Sequence, residues 1–276
     1  MEQRLAEQVG SILDSIRSKK PLIHHITNYV TVNDCANITL AIGASPIMAD
    51  DIEEAAAITS ISSALVLNIG TLNERTIESM LAAGKKANER NIPVVFDPVG
   101  AGVSELRSKT TERILQEVKV SVLRGNMSEI RFAAGLSSTA KGVDASDADM
   151  QSGLENGCSI AQGAAKKYGC AVAVTGVTDF LSDGKRTILL RNGTKLLSSV
   201  TGTGCMCTSL VGSFCGASQD YLAAAAGGVL CMSIAGEIAA EKAGETGCGS
   251  FHMALIDAVS KMTAAVIEQR AKIHEE

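Results

Sequence analysis

From residue 22 to residue 174, short runs of almost wholly apolar residues alternate with longer segments whose apolar residues recur at helical spacing. The runs fall at 22–26, 45–49, 64–69, 93–96, 120–123 and 171–174. A strand that is apolar on both faces must be covered on both faces, and strands separated by helices pair in parallel. The alternation predicts an α/β chain of three layers: a central, mostly parallel sheet with helices on both faces. Leu5, Val9, Ile12, Leu13 and Ile16 mark a first amphipathic helix that Pro21 ends. Further helices are predicted from Asn33 or Asp34 to about residue 42 and from an Asp50/Glu53 capping box to about residue 61. Others cover 73–91, 108–117, 127–134 and 150–168, with a polar stretch at 137–149.

After Thr175 the rhythm changes. Segments 180–181, 187–191 and 195–197 are joined by Asp183-Gly184 and Asn192-Gly193, strong tight-turn pairs that predict an antiparallel meander finishing the sheet. Helices follow at 204–215, 221–243 and 250–273. No linker, low-complexity tract or internal repeat interrupts the pattern, so residues 1–276 are expected to form a single domain.

The window 196–219 carries no charge, which raises the question of a membrane span. Its Gly, Ser and Thr content and the break at 200–204 point instead to buried core helices. The eight cysteines lie mostly in apolar or small-residue runs without any Cys-x-x-Cys pair, and the four His are not spaced as zinc ligands. With no signal-peptide core in the opening residues, they read as buried thiols in a reducing cytoplasm. A net charge of −5 and the lack of a basic tract exclude a nucleic-acid footprint, so the expected partner is a small molecule.

Ligands of open α/β sheets bind beyond the carboxyl ends of the strands. Asp97, at the end of Val94-Val95-Phe96-Asp97, leaves the sheet where a carboxylate can hold Mg²⁺, which takes one or two carboxylates together with phosphates. The next strand ends in Arg124-Gly125-Asn126-Met127-Ser128-Glu129. Asn126 and Glu129 either face the same cleft or serve only as a cap and a first-turn acid. The strongest local signal is Thr201-Gly202-Thr203-Gly204-Cys205, which opens an uncharged helix. Glycines there let backbone N–H groups approach an anion, and the helix end adds favourable partial charge. No Gly-Lys-Ser/Thr follows, so this is not a P-loop, and it comes too late for a dinucleotide fingerprint.

Together these pieces resemble the ribokinase-like superfamily, which carries an Asn-x-x-Glu motif, here Asn126 to Glu129, and a Gly-rich anion hole, here Gly202, Thr203 and Gly204. Within it the chain is similar to the hydroxyethylthiazole kinase family. The matching stretches are Ile26-Thr27-Asn28-Tyr29-Val30-Thr31, Ala44-Ser45-Pro46-Ile47-Met48-Ala49, Leu67-Asn68-Ile69-Gly70-Thr71-Leu72, Asp97-Pro98-Val99-Gly100-Ala101, Arg124-Gly125-Asn126 and Val174-Thr175-Gly176. The resemblance implies a ribokinase-like fold and phosphorylation of 4-methyl-5-(2-hydroxyethyl)thiazole by ATP on the way to thiamine.

It also implies roles. Met48 and Gly202 would contact the thiazole, Asn28 would line its pocket, Arg124 and Thr175 would contact ATP, and Asp97 and Glu129 would organise Mg²⁺. A homotrimer is implied, with sites between subunits that separate the segments of Asn28 and Gly202. Where the superfamily has its general-base Asp, this chain has Cys205. Positioning and charge neutralisation dominate phosphoryl transfer, so a thiol is tolerable there as a weak base or positioning group. The alternatives are a ribokinase-like kinase of another small heteroaromatic alcohol, or a nucleotide-binding regulator without turnover.

Overall fold

The structure, a computed structural model, describes residues 2–136 and 147–275, and side chains over 3–136 and 154–275. Most of the polar stretch predicted at 137–149 therefore lies outside the described residues. The apolar runs form β1 (Leu22–Ile26), β2 (Ser45–Met48), β3 (Ala64–Asn68), β4 (Val94–Asp97), β5 (Val122–Asn126) and β6 (Ala171–Thr175). They pair in parallel, and β7 (Asp179–Ser182), β8 (Thr187–Leu190) and β9 (Ile273–Glu275) continue the sheet antiparallel. The nine strands form one sheet in the order β2-β1-β3-β4-β5-β6-β7-β8-β9.

Alternate strand residues feed two apolar cores. Ile23, Val66, Val95 and Val122 face α1 (Glu2–Lys19), α2 (Val32–Ile42), α8 (Thr203–Cys215), α9 (Tyr221–Ala243), α10 (Cys248–Ser260) and α11 (Ala264–Arg270). Ile26, Leu65, Leu67, Phe96 and Leu123 face α3 (Ala55–Ile61), α4 (Glu74–Glu89), α5 (Glu105–Glu117), α6 (Met127–Ala134) and α7 (Asp147–Tyr168). Each such side chain, fully buried, contributes about 1.5–3 kcal/mol through removal from water. The three predicted layers are therefore present. Helix α9 is long and apolar enough to cross a bilayer, yet 89% of its most apolar window is buried within the protein. Its surface is spent on packing against α8 and α10.

Several expectations need correction, each for a tertiary reason. The strand at 45–49 was expected to be buried, but β2 is half-buried throughout because it is the sheet edge. Helix α2 starts at Val32, ahead of the predicted caps, and Thr31 makes no side-chain cap because its hydroxyl is committed to Asn28. The Asp50/Glu53 capping box does not form; Asp51 accepts the Glu53 N–H, and α3 starts later, at Ala55. Ser104 caps α5 a turn earlier than predicted, accepting the Arg107 N–H.

The third strand of the meander is not 195–197, which forms a 3-10 turn, Lys195–Ser199. It is β9, from the far end of the chain. The Asn192 side chain donates to Arg270 O at 2.9 Å and accepts from Lys272 N at 2.7 Å, docking that segment beside β8. The helix predicted over 250–273 is two helices, α10 and α11, bent by 115°, with Thr263 capping the second.

The site is positioned by one feature of this topology. The chain runs from β1 outwards to β2 and then back past β1 to β3, with α2 and α3 on opposite faces. The carboxyl ends of β1 and β3 therefore flank a switch point, where open α/β sheets form their binding crevice.

Candidate active site

Five strand ends and one helix start meet at this crevice. Asn28 follows β1, Asn68 ends β3, Asp97 ends β4, Arg124 lies in β5, Thr175 ends β6, and α8 enters from above. Asn28, Asn68 and Asp97 are all buried. Asn28 Nδ2 donates to Asn68 Oδ1 at 3.0 Å and to Cys205 Sγ at 3.3 Å. Asn68 Nδ2 donates to Asp97 Oδ2 at 3.1 Å and to Cys205 Sγ at 3.3 Å.

Asp97 is held mainly through one oxygen. Oδ2 also accepts from Thr208 Oγ1 at 2.6 Å and lies 3.5 Å from Arg124 Nη1. Burial pushes its carboxyl up to about 6, opposed by the Arg124 charge and reinforced by that of Glu129. Oδ1 is buried without a partner. An orphaned carboxylate oxygen is costly unless something fills its coordination, so it is the feature here that best fits a cation.

Glu129 plays the capping part that its spacing allowed. Its carboxylate accepts the Asn126 N–H at 2.7 Å and the Gly100 N–H at 2.9 Å, while Asn126 caps α6 in return. It thereby ties the loop after β4 to the start of α6, with its charge still felt at Asp97. Among the described residues no group of three His, Cys, Asp or Glu could enclose a metal. One buried and one capped carboxylate suit Mg²⁺, which keeps water and phosphate ligands, better than a cage-bound metal.

Gly202 begins α8 at φ 86°, a left-handed conformation, and a Cβ there would come within 2.8 Å of the Thr31 side chain. Glycine is required on both counts. No side chain caps this helix, so its first N–H groups remain available to an anion. Thr203 Oγ1 donates to Leu197 O at 2.9 Å and fastens the helix start to the 3-10 turn. Arg124 reaches across with Nη1 to Gly204 O at 3.1 Å and Nη2 to Thr175 Oγ1 at 2.6 Å. Behind these groups opens a cavity of about 680 Å³, lined by Arg124, Thr175, Asp179, Lys195, Thr203 and Gly204.

The structure thus brings together Asn28, Asp97, Arg124, Glu129, Thr175, Gly202, Thr203, Gly204 and Cys205. Met48 stands apart, in a cavity of about 180 Å³ with His25, Thr27, Tyr29, Asp50 and Thr71. Gly202 does not line that cavity. The expectation that a subunit boundary separates Asn28 from the Gly202 segment is overturned. Asn28 touches Cys205 within one chain, because α2 and α8 pack on the same face of the sheet.

Three functional candidates were missed by sequence reasoning. Asn68 was part of a matched stretch, and its polarity at a strand end was a usable signal. Thr208 sits one turn beyond Gly204, on the helix face that meets Asp97. Asp179 is buried in the large cavity with its carboxyl pushed up to about 6 by burial, and nothing in its neighbours announced it.

Comparison with known proteins gives this geometry its context. The sequence pattern of the Hydroxyethylthiazole kinase family matches residues 13–265. A hydroxyethylthiazole kinase of Clostridium beijerinckii is 65% identical over 275 residues, covering 100% of both chains. The structure of hydroxyethylthiazole kinase from Pyrococcus horikoshii superposes with a TM-score of 0.88 at 38% identity, covering 98% of this chain and 99% of that one. A ribokinase-like superfamily protein from Enterococcus faecalis shares the fold alone, with a TM-score of 0.64 at 11% identity over 96% of each chain. With a full-length relative at this identity and a family pattern spanning nearly all its elements, the chain belongs to the hydroxyethylthiazole kinase family.

Proposed function

We propose that this chain transfers the γ-phosphate of ATP to the hydroxyl of 4-methyl-5-(2-hydroxyethyl)thiazole, in the supply or salvage of thiamine. The observation that carries the reading is the convergence of Asp97, Arg124 and the uncapped start of α8 in a chain 65% identical, end to end, to a hydroxyethylthiazole kinase. A loose phosphoryl-transfer transition state asks for positioning and charge stabilisation, and those are the resources gathered at this crevice.

In this reading the nucleotide occupies the larger cavity, with Arg124 and Thr175 contacting its phosphates. The N–H groups opening α8 at Gly202, Thr203 and Gly204 receive the phosphoryl group in flight. Asp97 and Glu129 would hold Mg²⁺, directly or through water, and bound Mg²⁺ supplies charge neutralisation at the phosphates. Cys205 stands beside the acceptor hydroxyl and takes its proton or aligns it. Met48, Gly202 and Asn28 line the thiazole site.

Met48 lies in a separate cavity at the edge strand, and a homotrimer with sites between subunits reconciles this with its role. Tyr29, Val30, Ile52 and Ile61, from segments around β1 and β2, are exposed apolar residues that such an assembly would cover. We read the chain as one domain built on its single sheet. None of the eight cysteines is joined in a disulfide, which suits a cytoplasmic location.

An ATP-consumption assay across thiazole, pyridine and pyrimidine alcohols tests the reading. The expected result is turnover with the hydroxyethylthiazole well above the others. Preference for another alcohol would reassign the substrate, and no turnover with any would leave a nucleotide-binding protein without kinase activity.

A further inference from the structure

The orientations of two buried carboxamides are fixed here by their surroundings. Asn68 Oδ1 accepts from the Gly70 backbone N–H at 2.9 Å, and Asn28 Oδ1 accepts from the Thr31 backbone N–H at 3.1 Å. A backbone N–H can only donate, so neither amide can be turned round. Both Nδ2 groups are therefore donors, and both point one of their hydrogens at Cys205 Sγ, 3.3 Å from each. The second hydrogen of Asn68 goes to Asp97 Oδ2 at 3.1 Å, and its Oδ1 receives the second hydrogen of Asn28 at 3.0 Å. Every hydrogen-bonding position of Asn68 is thus assigned, with the residue 1% exposed.

The packing leaves no slack. A Cβ at Gly70 would lie 2.7 Å from Asn28 Nδ2, so the turn after β3 closes directly on the carboxamide pair. Asn68 and Asp97 are register partners on adjacent parallel strands, which fixes their relative height. One side chain thereby sets both the thiol and the carboxylate from a rigid strand end.

We propose that Asn68 is a positioning residue for the phosphoryl transfer, holding the Cys205 sulfur and the Asp97 carboxylate in one register. Two N–H donors hold the Cys205 sulfur from the side of the carboxamides, and in the function proposed above the acceptor hydroxyl would approach it from elsewhere in the crevice. The inference rests on the function proposed above and deepens it, since it assigns an orienting group to a thiol that would otherwise swing among rotamers. Misplacement of a reacting group by about 1 Å costs on the order of 10²-fold in rate, which sets the expected effect.

The test is a double-mutant cycle on the full chain with Asn68→Ala, Cys205→Ala and the double variant. It measures kcat, KM for the thiazole alcohol, and ATP binding by calorimetry. Asn68→Ala should lower kcat about 10²-fold, with KM and ATP affinity within about threefold of the parent. In the Cys205→Ala background the same substitution should cost at least fivefold less, because part of its effect acts through the absent sulfur. Should Asn68→Ala fail to fold, Asn68→Ser, which keeps one donor in a smaller group, is read by the same criterion. Equal losses in both backgrounds, within fivefold, or a rise in KM at unchanged kcat would overturn the proposal. Absence of turnover in the parent would refute the assigned function instead, so the two failures are distinct.

Discussion

Replacing Asp179 with Asn should make the protein more stable at neutral pH, by an amount set by the pH. Asp179 is buried at the start of β7, accepts the Gly176 N–H at 2.9 Å, and has its carboxyl pushed from 3.8 up to about 6 by burial. A carboxyl whose folded pKa lies above its unfolded one binds its proton more tightly when folded. Its ionisation therefore costs nothing below about pH 4, costs progressively more as pH rises, and reaches its full cost above about pH 6. About two pKa units give a penalty on the order of 3 kcal/mol at pH 7.5 and roughly half that at pH 5. An Asn keeps the acceptor for Gly176 and removes the charge. Asp97, likewise pushed up to about 6, titrates in both proteins and cancels in the difference. Denaturant unfolding of parent and Asp179→Asn at pH 4, 5 and 7.5 should show a gain growing from near zero to about 3 kcal/mol, or roughly 5 °C by thermal unfolding at pH 7.5. A gain that is absent, or equal at pH 4 and 7.5, would refute the linkage reasoning. Because the carboxylate weakens the fold where it stands, in the wall of the Arg124 cavity, the same variant should bind ATP less well.

Other expectations follow from the same geometry. Asp97→Ala or Glu129→Ala should abolish Mg²⁺-dependent turnover while thiazole binding persists; near-normal rates for both at ordinary Mg²⁺ would sink the metal assignment. Cys205→Ala should lower turnover near the low end of the 10²–10⁴-fold range of general-base help, whereas Cys205→Asp should retain activity, its carboxylate accepting from Asn28 and Asn68. A folded, ATP-binding but inactive Cys205→Asp protein would mean that the thiol is there for packing. Mixing Met48→Ala chains with Cys205→Ala chains should restore activity that each lacks alone. Asn28→Ala mixed with Cys205→Ala should not, because those two residues meet within one chain, and recovery by that pair would contradict the contact.

The strands were legible because their chemistry is local. Val94, Val95 and Phe96 are apolar at successive positions, and only a strand covered on both sides buries all three. What could not be read depended on partners remote in sequence. Nothing near residue 45 reveals that β2 is the edge strand, since that follows from where the chain returns after α3. The C-terminal strand exists because the Asn192 amide spans 80 residues to Lys272, and a helical apolar spacing over 250–273 gave no hint of it. Thr263 ends that pattern as a cap rather than continuing it.

The site divides along the same line. Asp97, Arg124, Thr175 and the glycines of 202–204 stood out because strand ends and a Gly-rich helix start are visible one residue at a time. Thr208 did not, since it acquires its meaning only from contact with Asp97, 111 residues away, and Asn68, though polar at a strand end, shows its orienting role only through its contacts with Asp97 and Cys205. Asn126 and Glu129 show the converse, since the capping role legible in their spacing is the one their side chains perform, and the bond from Glu129 to Gly100 adds what spacing could not convey. The residues that sequence marks are therefore those expected to meet substrate and phosphate. Those that hold them in place are set by the switch point between β1 and β3, where the carboxamides of Asn28 and Asn68 face each other. A chain with every marked residue intact but an apolar side chain at position 68 should keep its ligands and lose its rate.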